Sequence, residues 1–101
     1  MTPPKLTIKD LMLNIAVNLD RLCCFALEKK PERIKTFIKD TDGYVEELKK
    51  ADLPEKLDLT IDAFIKKYSA LKNSSEHADE EWAEEALTWA NILTHRSKHA
   101  H

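Results

Sequence analysis

One glycine, Gly43, is all that this chain of 101 residues contains, and that scarcity limits its architecture more than any other feature. Tight hairpin turns and phosphate-cradling loops use glycine for backbone conformations that other residues resist. A chain with one glycine builds few of either, and P-loop or dinucleotide fingerprints, which need several, are excluded. The alternative is helix. With 43% hydrophobic and 34% charged residues, the chain carries enough apolar material for one modest core and is not a disordered polymer.

Apolar periodicity predicts four helices, divided by proline and capping residues. The first runs from about Thr7 to Lys29. Pro31 opens a second that reaches about Lys50, with Ile34, Phe37, Ile38, Val45 and Leu48 on one side and Thr41 in the gap. Gly43 lies inside it and marks a possible kink, yet the stripe keeps its register across the glycine. Asp52 as cap and Pro54 as first-turn residue open a third helix to about Lys72. Its stripe is Leu57, Ile61, Phe64, Ile65, Tyr68 and Leu71. Ser74 or Ser75 caps a fourth, with Trp82, Ala86, Trp89, Ala90 and Leu93 at three- and four-residue steps. Short connections make consecutive helices antiparallel neighbours. The expectation is an all-α, antiparallel four-helix bundle, up-down-up-down, spanning 1–101 as one domain, with short flexible segments at 1–5 and 97–101.

The totals also exclude functions. The net charge of −2 gives no general attraction to nucleic acid or anionic lipid. Between Glu28 and Lys72, eleven basic residues are matched by ten acidic ones, as on solvated helix faces. Neither nucleic acid nor membrane is therefore expected as a partner. Lys9 and Asp10 interrupt the first apolar run, so no secretion signal is read there, and no apolar stretch is long enough to span a bilayer. Cys23 and Cys24 are neighbours on a helix, about 100° apart, and cannot bridge each other. Two unpaired cysteines fit a reducing compartment, and the expectation is a cytoplasmic protein without cofactors.

The stretch that most resembles chemistry is Asp79 to Leu93, where Glu80–Glu81 and Glu84–Glu85 are spaced four apart. Glu80-Glu81-Trp82-Ala83-Glu84 resembles the EExxE element of all-helical nucleotide pyrophosphohydrolases of the MazG and dUTPase-like kind. That family completes its metal cradle with an ExxD element on a following helix, whereas no acidic residue follows Glu85 here. Stepping about 100° per residue places all four glutamates away from the tryptophans. The expectation is an acidic face turned to water, suited to docking a basic protein partner. Arg96 to His101 is similar to the Arg-x4-His motif of RNases with helical HEPN domains, which lies there on a structured helix in a dimer cleft. Either resemblance would imply an enzyme whose site is composed across a dimer interface. His95 and His99 have soft-metal spacing but no acid or cysteine nearby to complete a set.

Helix one is too apolar for a simple bundle. Ile8, Leu11, Met12, Ile15, Leu19, Leu22, Cys23 and Ala26 form the expected core face. Leu13, Val17, Cys24 and Leu27 then form a second strip, interrupted by Asp20. Two arrangements account for it: a central helix wrapped by the other three, or a strip that pairs with another chain. The second is favoured, most simply as a two-fold homodimer. The sequence thus points to a small protein-interaction module, an adaptor, regulator or structural subunit.

Overall fold

A computed structural model describes residues 6–100. The expected N-terminal segment 1–5 and His101 lie outside the described residues. The chain forms α1 (Ile8–Leu27), α2 (Pro31–Lys50), α3 (Glu55–Asn73) and α4 (Glu80–Arg96), with 3-10 turns at Ser75–His77 and Ser97–His99. No strand occurs among the described residues, and none of their helices is long and apolar enough to cross a membrane.

Each helix begins and ends for a local reason. Thr7 and Asp10 form a reciprocal capping box at the start of α1, satisfying two backbone N–H groups that a helix leaves unpaired. Lys29 stops α1 by adopting φ 57°, a left-handed conformation usually given to glycine, and Lys30 N then donates to the Phe25 carbonyl. Pro31 sits at the first turn of α2, where its missing N–H costs nothing. The helix runs unbroken through Gly43, as the uninterrupted stripe requires. Pro54, not Asp52, is the residue from which α3 departs, and its carbonyl accepts from Leu57 N and Asp58 N. The serines do not cap α4. They are consumed by the 3-10 turn, and Asp79 takes the role by accepting from Trp82 N at 2.9 Å.

Cross-helix contacts fix the antiparallel order. Leu71 and Trp82, Lys67 and Glu85, and Phe64 and Trp89 meet in reverse succession along α3 and α4. Asn18 reaches Asp40 and Thr41 between α1 and α2, while Phe25 meets Phe37 edge-on at 5.0 Å nearer the turn. Tyr68 of α3 bonds to Asp42 of α2. α1 packs most extensively on α4 and next on α2. Its buried residues lie along one arc while Val17, Asp20, Cys24 and Leu27 opposite them are exposed, so it is a corner helix, not one wrapped on all sides. The fully buried centre consists of Met12, Ile15, Leu19 and Leu22 from α1 with Leu48, Leu57, Ile61, Phe64 and Leu93. Burying each such side chain contributes roughly 1.5–3 kcal/mol.

The Ser97–His99 turn packs on α1, with Ser97 and Ala100 buried. The Ser97 hydroxyl donates to the Thr94 carbonyl at 2.6 Å, which pairs one of the carbonyls freed at the end of α4.

Candidate functional site

Because α2 and α4 occupy only one side of α1, the opposite arc of that helix faces outward. Val17 is 52% and Leu27 58% exposed, Cys24 is exposed, and Leu13 is half-buried. With Asp20, also exposed, these positions follow one another at steps of four, three, four and three residues. That alternation traces a nearly straight seam along a helix, the spacing by which two helices pack together. The interior side of α1 is meanwhile complete: Asn18, itself buried, donates to Asp40 at 2.9 Å and to Thr41 at 3.1 Å. Burial, reinforced by the neighbouring Cys24 and Asp20, pushes the Cys23 thiol above its ordinary range, so Cys23 is the unreactive member of the pair.

The glutamates of α4 divide into two sets. Glu80, Glu81 and Glu84 point to water as expected. Glu85 does not. It is half-buried, its carboxylate lies 3.5 Å from the Lys67 ammonium of α3, and it accepts from the Trp89 indole at 3.3 Å. The difference arises because Trp89 turns toward Phe64, 5.7 Å away, and brings its N–H out beneath Glu85. The acidic face is thus three residues rather than four. Glu80 and Glu81 lie in the first helical turn, where negative charge complements the helix dipole.

Among the described residues no three His, Cys, Asp or Glu side chains come together as a metal-ion set. His95 lies in the last turn of α4, but His99 belongs to the 3-10 turn, so the two lose the helical register that would superpose them. The Arg96-to-His101 spacing ends outside the described residues. A hollow of about 370 Å³ between the end of α3 and the start of α4 has the Lys67–Glu85 pair and Trp82 in its lining, with His77 and Glu81. Of its charged residues, Lys67 and Glu85 pair with each other and Asp79 caps α4.

The sequence reading missed a groove between α3 and α4. It measures about 590 Å³ and is lined by Leu59, Thr60 and Ala63 from α3 and by Trp89, Ile92 and His95, among others, from α4. Leu59 is 85% exposed. A signal was available: Leu59 is a large apolar residue off the α3 core stripe, flanked by Asp58 and Thr60. The apolar stripe of α4 places Trp89 in the core, which conceals the groove. Its ring is shared between Phe64 inside and the groove outside.

By fold and surface, the molecule is a small antiparallel helical bundle with two apolar surfaces left open. No protein family, curated protein or solved structure matches the chain.

Proposed function

We propose that this chain is a protein–protein interaction module, an adaptor, regulator or structural subunit, that pairs with a second copy of itself through α1. The observation that carries the reading is the open seam of Leu13, Val17, Cys24 and Leu27 on a helix whose other side is already packed. Isolated exposed apolar residues are ordinary on protein surfaces; a row in helical register is the arrangement that a partner helix would cover. A two-fold pairing presents the same row from both copies, so one strip supplies both halves of the interface. A basic partner on α4 has less support, since Glu85 is engaged with Lys67 and Trp89 and Glu80 and Glu81 serve the helix start.

Solution mass tests the pairing. Light scattering over a concentration series is expected to rise toward twice 11.7 kDa. Val17→Glu should hold the mass at one chain while leaving helicity and melting intact, because Val17 makes no part of the buried core. A wild-type protein that stays monomeric at every concentration rejects the reading.

A further inference from the structure

The α3–α4 groove has a polarity that identifies what would fill it. Its walls are apolar along Leu59, Ala63, Trp89 and Ile92. One helical turn beyond that lining, past Ala63 on α3 and Trp89 on α4, Lys67 and Glu85 pair with each other. At the opposite end, His95 and Arg96 line the opening, and no acidic residue shares the lining with them. Among the described residues Arg96 makes no ion pair. Glu55 and Lys56 precede Leu59 and Thr60 by four residues on α3, so both fall on this face one turn nearer that end and offset each other, leaving His95 and Arg96 to set its charge.

Length and shape narrow the occupant further. The α4 wall runs from Trp89 to Arg96, about 10 Å of helix, which matches roughly two turns of a second helix. The groove is open along its side rather than enclosed. Small-molecule sites typically bury most of their ligand, which a trough of this shape does not do. A helix laid into a groove needs only apolar anchors one or two turns apart, with charge at the end to fix its direction.

The geometry points to the α3–α4 groove as a docking site for a short amphipathic helix of a partner protein, with bulky apolar anchors between Leu59 and Trp89 and carboxylates directed at His95 and Arg96. Carboxylates beside the Arg96 guanidinium form charge-assisted hydrogen bonds, and the neutral Lys67–Glu85 end offers no equivalent. Direction of binding therefore follows from the charge asymmetry. The site lies on α3 and α4 and does not depend on pairing through α1.

Selection from a displayed library of random short helical peptides, with the full chain as bait, tests this. Enriched peptides are expected to share bulky apolar residues one and two turns apart and Asp or Glu at one end. Ala63→Trp, at an exposed position, plugs the groove and should abolish the enrichment; Leu59→Asp is the second variant should the first fail to fold. Arg96→Glu should weaken the acidic peptides by about tenfold and turn the selection toward Lys and Arg at the same end. Repeating the selection on Val17→Glu should return the same peptides, which separates the groove from the α1 seam. The proposal is overturned by no enrichment, by enrichment that survives both groove variants, or by peptides without a carboxylate preference. Displacement of the peptides by dodecanoate, a simple amphiphilic acid, with no loss of its binding in Arg96→Glu would also overturn it, since the groove would then be a nonspecific apolar site.

Discussion

Tyr68 shows how much of this fold is settled by single residues. Its ring belongs to the α3 core stripe, as periodicity required, but its hydroxyl donates to Asp42 at 2.6 Å, with the Ile38 carbonyl 3.1 Å away. Asp42 in turn accepts from the Lys72 ammonium at 2.8 Å. Burial first, then the hydrogen bond and charge of Asp42, hold the phenol far above its ordinary range. A phenol released by unfolding ionises near pH 10, whereas the native one keeps its proton. Above that pH the unfolded chain therefore binds fewer protons, and stability falls as pH rises, by up to about 1.4 kcal/mol per pH unit from this group. Urea unfolding from pH 8 to 11 should show that decline, and Tyr68→Phe should flatten it. The stripe made the ring legible in the sequence. The hydroxyl's partners were not, because Asp42 lies 26 residues away on another helix and periodicity carries no information about which polar neighbours meet. Asn18 was missed for the same reason: it sits beside the α1 core stripe, and only its contact with α2 explains its burial.

At the scale of the helices, the sequence was most informative. The four apolar stripes predict four helices, and the starts read at Pro31 and Pro54 fall within a residue of those observed. Caps were less legible. Asp79 looked like one acid in an acidic run, and the 3-10 turn that displaces the serines has no periodicity of its own. Gly43 is the informative position within α2. It has ordinary helical backbone, and a methyl group added there would meet nothing within 4 Å. Gly43→Ala is therefore expected to stabilise the protein by about 0.5–1 kcal/mol, by restricting the unfolded chain and improving helix propensity. For a domain of this size that is a rise in Tm of a few degrees by calorimetry. A decrease would mean that α2 needs the glycine's freedom, as a bend would require.

For the whole molecule, the decisive arrangement is the corner position of α1. Two apolar faces on one helix were plain in the sequence, but whether the second was covered depended on which helices surround it, a non-local matter. The structure leaves that face open, and one residue spoils it: Asp20, exposed in the middle of the seam. Within a two-fold pairing it is the position least suited to burial, since a desolvated carboxylate needs a partner. Asp20→Leu would complete the row. If α1 pairs two copies, this change should tighten association by roughly tenfold or more, given about 1.5–3 kcal/mol for each buried leucine. Sedimentation of the two proteins over one concentration range measures it. An unchanged mass distribution would remove α1 from consideration as the interface.

The extensive packing of α1 on α4 also has a kinetic meaning. These are the first and last helices of the described chain, so α1 reaches its principal neighbour only after α2 and α3 have been laid down between them. Local hairpins such as α3–α4 close at small entropic cost, whereas joining α1 to α4 closes the longest loop in the molecule. Until that closure, the part of α1 that α4 will cover is open to water together with the seam that stays open. The chain is then at its most adhesive, and a seam suited to pairing in the finished protein is, during folding, also the surface most exposed to premature association.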